Sequence, residues 1–168
     1  TLMQTMFANG GAELRKILAR VRKLGVATSL DMTLPDPASP SGRVDWPRLL
    51  ADALPHVDIF VPSIEEILFM LEPRQYADIV SGTSGDIMYA IPPELYTRLG
   101  DRILALGVSV LMIKAGHRGA YLRTGDIRKL NAATALKLPA DNWSHRELRV
   151  PVFPTEPARI QNACGCRG

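Results

Sequence analysis

The sequence predicts an α/β fold: a three-layer α/β/α sandwich whose sheet is mostly parallel, with antiparallel strands at one edge. Three observations carry this. Amphipathic segments alternate with short apolar runs through residues 12–113, as parallel strands joined by helical crossovers require. Each apolar run stops abruptly at small or charged residues, which marks the carboxyl end of a buried strand. After the third run a glycine-containing turn leads straight into a fourth, so the sheet should end in hairpin-connected strands. A chain of 168 residues suits one domain and buries about 70% of the surface its unfolded form exposes.

Residues 12–24 place Leu14, Ile17, Leu18, Val21 and Leu24 at helical spacing, with Glu13 near the start, basic residues toward the end and Gly25 as the stop. Residues 26–30 read as a strand that delivers Asp31 to the sheet edge. The prolines of 34–42 disfavour both helix and central strand. A helix over 46–54 tolerates Pro47, because the first turn has no partner for its N–H. The strand at 57–61 runs into a helix over 64–71, where Ser63 and Glu66 stand at capping-box spacing. Residues 72–91, interrupted by Pro73, Gly82 and Gly85, read as short helical pieces and loop. Pro92 or Pro93 opens a helix ending at Leu106-Gly107. Strands are expected at 108–113 and 119–123, then a hairpin turn at Thr124-Gly125-Asp126 leading to a short strand near 127–130. An edge strand at 148–153 completes the pattern.

The composition narrows the function. Charged residues make up 22%, and 20 Lys+Arg against 17 Asp+Glu leave a net charge of +3, too little to favour nucleic acid or an anionic membrane. No uninterrupted apolar run, 110–113 included, approaches the roughly 20 residues of a membrane span. Cys164 and Cys166 lack a second Cys or His pair at zinc-ligand spacing and do not form a secreted disulfide framework, so a reducing, cytoplasmic setting is expected. No Walker-type phosphate loop, nucleophile elbow or Gly-x-Gly-x-x-Gly after the first strand is present.

Three segments remain, in order: Gly25 to Asp31, Val57 to Glu66, and Val110 to Gly119. Together they resemble the carboxyl-side half of a PfkB/ribokinase-type carbohydrate kinase, a family with a strand ending in Asp, an Asn-x-x-Glu motif and a Lys-x-Gly-x-x-Gly turn. The resemblance extends over residues 10–168. It implies a ribokinase-like sandwich, incomplete here, in which 1–168 form one partial domain on the nucleotide side and the sugar-binding half and lid are missing. Glu66 matches the glutamate that organises Mg²⁺ through water, and Ser63 stands where the motif has asparagine. Lys114, Gly116 and Gly119 match the nucleotide turn, and Asp31 matches an aspartate near the acceptor cleft. Gly165 fits the anion-hole turn that should end in the catalytic aspartate, expected beyond Gly168. No catalytic residue is therefore assigned within the chain.

Read singly, these residues have plainer roles: Glu66 closes a capping box, Lys114 is an exposed strand-end lysine, and Gly116 to Gly119 simply joins two strands. Their ordered occurrence implies the ligands ATP and Mg²⁺, a sugar acceptor, no nucleic-acid or membrane partner, and a family that admits homodimers. The expected activity is transfer of the γ-phosphoryl group of ATP to a sugar hydroxyl, with this chain alone inactive. The alternative is a degenerate kinase-like module that binds nucleotide or a protein without catalysis.

Overall fold

The computed structural model describes residues 2–84 and 86–154, with the side chains of residues 2–5 left aside. Helix α1 (Leu2–Lys23) is broken at Ala8 to Gly11, where ψ swings to 148° and three successive residues then take positive φ. Its second limb is the amphipathic helix expected from the sequence. Strand β1 (Ser29–Leu30), helix α2 (Trp46–Ala53), strand β2 (Ile59–Phe60) and helix α3 (Ile64–Leu71) follow. Helices α4 (Pro73–Gly82) and α5 (Pro93–Ala105) precede strands β3 (Val110–Lys114) and β4 (Ala120–Thr124). Helices α6 (Ile127–Ala133) and α7 (Ala140–Trp143) and strand β5 (Glu147–Val150) complete the described chain.

The five strands form one open sheet in sequence order, β1-β2-β3-β4-β5. The β1, β2 and β3 pairings are parallel, whereas β3–β4 and β4–β5 are antiparallel. Ladder geometry is short in β1 and β2, but backbone bonding continues past it, from Asp58 N to Thr28 O and from Val61 N to Leu30 O. Paired residues share a face. Phe60, Leu111, Ile113 and Tyr121 therefore point together into the main core, where they meet Leu49, Ile67, Leu99 and Ile103. Ile59, Val110 and Leu122 point the other way and pack under Ile127 and Leu130 of α6.

The expected strand near 127–130 is instead the first turn of α6. Asp126 accepts the Arg128 N–H at 3.0 Å, capping the helix. Ile127 and Leu130, three apart, are then buried on one side, which a strand would not achieve. The antiparallel edge comes from β5, within one residue of its expected start.

At the amino ends of the parallel strands lies Asp58, with no exposed surface. Its Oδ2 accepts from the Thr28 N–H at 2.9 Å and the Thr28 hydroxyl at 3.1 Å, and Arg22 stands 3.8 Å from Oδ1. Its carbonyl accepts from Ser109 and Val110 of the next strand, both at 3.0 Å. Removing the carboxylate strands buried donors. Asp58→Ala should lose about 1–3 kcal/mol in urea melts, and Thr28→Val should cost much less in that background than in the parent. Additive losses would show that the two groups do not act as a unit.

Candidate nucleotide and phosphate site

The parallel strands deliver their carboxyl ends side by side. Asp31 follows β1, Ser63 and Glu66 open α3 after β2, and Lys114 ends β3. An isolated bridge pairs Ser63 with Lys114, whose N–H donates to Pro62 O at 2.9 Å. The Lys114 ammonium donates to both oxygens of Asp31, at 2.7 and 2.8 Å. Glu66 lies close enough for both charges to act on it. Four of the residues singled out in the sequence thus meet at one edge.

Glu66 is only 8% exposed. Its Oε2 accepts the Ser63 N–H at 2.7 Å while Ser63 Oγ accepts the Glu66 N–H at 3.2 Å, a complete capping box. Burial pushes the Glu66 carboxyl above the ordinary glutamate value; the Ser63 backbone N–H and Lys114 oppose the rise, and Asp31 adds to it. By contrast, Asp31 and Lys114 keep 58% and 41% of their side chains exposed. Such a pair contributes about 0.2–1 kcal/mol, so exchange of the Lys114 partner for another anion costs little.

The two turn glycines differ. Gly116 has φ +53°, and a Cβ there would find only the Met88 side chain, at 3.8 Å. Gly119 has φ +90°, and a Cβ would fall 1.9 Å from Val150 O and 2.9 Å from Pro151 backbone atoms. Its missing side chain therefore admits the chain leaving β5, whatever else binds nearby. Within the turn, Arg118 N donates to Ala115 O and Gly119 N to Gly116 O.

Sequence reasoning missed what holds this turn in place. The segment Ile87–Ala90 packs against it: Arg118 donates to Met88 O at 2.7 Å, His117 Nδ1 lies 3.0 Å from Asp86 Oδ2, and the Tyr89 and His117 rings sit 5.0 Å apart. The available signal was Asp86, whose Oδ1 accepts from Met88 N at 2.8 Å and fixes the short turn. Gly165, Cys164 and Cys166 lie outside the described residues. No described helix is long and apolar enough to cross a membrane.

Capping and charge can be separated at Glu66. A carboxyl whose folded pKa is raised stabilises below its unfolded value, 4.5, and that contribution is lost as pH rises through the folded pKa. Glu66→Gln keeps an acceptor for Ser63 but never ionises. It should match or exceed the parent in urea melts at pH 7 and lose that advantage below about pH 4.5. Glu66→Ala should cost about 0.5–2 kcal/mol at both pH values. A glutamine variant as unstable as the alanine one would refute this assignment.

No protein-family model matches the chain, and no curated protein matches it. Solved structures do. A PfkB protein from Polaromonas is 20% identical over 84% of this chain and 35% of its own, with a TM-score of 0.49. A putative ribokinase II from E. coli is 20% identical over 89% and 35%, with a TM-score of 0.47. Ribokinase from Thermotoga maritima is 14% identical over 83% and 32%, with a TM-score of 0.41. The chain spans about a third of the length of these structures.

Proposed function

We propose that this chain carries the nucleotide side of an ATP-dependent sugar kinase of the ribokinase type. The observation that supports it best is the convergence of Asp31, Glu66 and Lys114 from three successive strand ends. Phosphoryl transfer depends mainly on placing charge around a transferring group. A partly exposed ammonium, an exposed carboxylate and a buried carboxylate at a sheet's carboxyl edge are suited to that task, and the crevice there is where open α/β sheets bind ligands.

Lys114 would turn from Asp31 to a phosphate oxygen, and Asp31, thereby freed, would face the acceptor side. The Gly116 turn would approach the nucleotide by its backbone. Among the described residues no group of three or more His, Cys, Asp or Glu could hold a metal ion directly. The buried carboxylate of Glu66, with only Oε2 engaged by the cap, suits Mg²⁺ kept in its water shell, since Mg²⁺ commonly takes one or two carboxylates plus substrate phosphates. Glu66 would hold it through water, using the Oε1 that the cap leaves unused, with the Ser63 hydroxyl still able to donate. When bound, the ion neutralises charge on the phosphates.

A second reading, binding without turnover, is favoured by the acid–base inventory: Asp31 is held by Lys114 and Glu66 is buried under its cap. Calorimetric titration with Mg-ATP tests both readings. Heat is expected with the parent chain, with affinity about tenfold lower in Lys114→Met, the equivalent of one charge-assisted hydrogen bond. Because the chain alone is expected to be inactive, turnover with a sugar panel by the whole protein that contains it would then separate kinase from binding module. Absence of heat at millimolar Mg-ATP would remove the nucleotide reading altogether.

A further inference from the structure

A second polar pocket lies on the opposite face of the sheet from Lys114. Alternation along β3 and β4 sends Lys114 one way and Tyr121 the other, and register pairs Tyr121 with Arg149 of the edge strand. Between these residues and the start of α5 is a hollow of about 100 Å³ lined by Ile91, Pro93, Tyr96, Arg118, Tyr121 and Arg149. That volume holds a group the size of phosphate or carboxylate and is too small for a nucleoside.

Its chemistry is one-sided. The Arg149 guanidinium lies 5.8 Å from the Tyr96 ring centre and 5.7 Å from that of Tyr121, which fixes its position by cation–π attraction. One of its nitrogens donates to Pro93 O at 2.9 Å, and Arg118 donates to Met88 O at 2.7 Å and Ile91 O at 3.3 Å. These carbonyls orient both cations without neutralising them. Neither pairs with a carboxylate among the described residues, and each has donors to spare. The nearest acid on the edge strand, Glu147, is engaged by Arg123, Thr97 and Tyr121.

Tyr96 supplies the second, independent sign. It is 6% exposed, and its hydroxyl is buried with no hydrogen-bond partner among the described residues. A buried hydroxyl left unpaired costs about 1–3 kcal/mol, a cost that a water or an anion oxygen reaching it would offset. Burial raises the phenol above its ordinary pKa, partly offset by Arg118 and Arg149, so it remains a donor at neutral pH.

We propose that this pocket is a site for a small oxyanion, phosphate or carboxylate, held by Arg118, Arg149 and the Tyr96 hydroxyl. It is independent of the nucleotide site, although Arg118 belongs to the same turn as Gly116 and Gly119. Anion binding here would therefore brace the turn from behind.

The test titrates the 168-residue chain with inorganic phosphate and, separately, with acetate at constant ionic strength, by calorimetry and by the Arg side-chain Nε–H signals. Saturable binding of at least one anion is expected, weakened about tenfold in Arg118→Gln and in Arg149→Gln, and retained in Lys114→Met. Which anion binds tighter identifies the class. Tyr96→Phe, which removes only the hydroxyl, should weaken binding with the thermal midpoint unchanged or raised. No binding, or binding lost in Lys114→Met but intact in both arginine variants, overturns the site. A Tyr96→Phe variant that gains stability and binds like the parent removes Tyr96 from it.

Discussion

Residue 58 sets the register on which everything above it depends. Through its side chain it holds Thr28 of the first parallel segment, and through its carbonyl it holds Ser109 and Val110 of the third. Three segments far apart in sequence are thus pinned at their amino ends by one fully buried aspartate. A single-residue slip in any of them would turn its side chains to the opposite face. Because the strands rise by equal steps, pinning their starts also aligns their ends: Ser63 arrives level with Lys114, and Asp31, at the end of the shorter first strand, is reached by the Lys114 side chain.

That alignment gives the edge two kinds of carboxylate. Glu66 is committed to the helix it begins, which holds it in place and leaves it little exposed. Asp31 is open to solvent; its Oδ1 accepts the Met32 N–H at 2.8 Å, and its only side-chain partner among the described residues is a lysine that solvent can compete for. Rigidity and exchangeability therefore coexist within one small site. The cap restrains Glu66 without using both carboxylate oxygens, so its structural role does not exclude a ligand role.

Much of this could be read directly from the chain. The apolar runs at 57–61 and 108–113 mark β2 and β3, although β1 and Met112 of β3 are left partly exposed, and the Ser63-to-Glu66 spacing is a local signal that the structure realises in full. Residues 127–130 were misread because two apolar residues three apart, in a segment of four, fit either a short strand or one helical turn; Asp126 decided it by capping. The pocket at Tyr96 was not legible. It depends on α5, the glycine turn and β5 meeting, and no local pattern encodes the placement of Arg149 over two tyrosines. Contacts made by long-range register are visible only once the register is known.

The two glycines of the turn look equivalent in the sequence, yet sequence drift should treat them differently. At 116 the constraint is a backbone dihedral in the left-handed region, with open space beyond, and asparagine adopts that region at modest cost. At 119 the constraint is another stretch of backbone, which no side chain can displace without moving the edge strand. Among descendants of this sequence, position 116 can therefore wander to asparagine, whereas position 119 can change only together with the path of the chain beyond Val150.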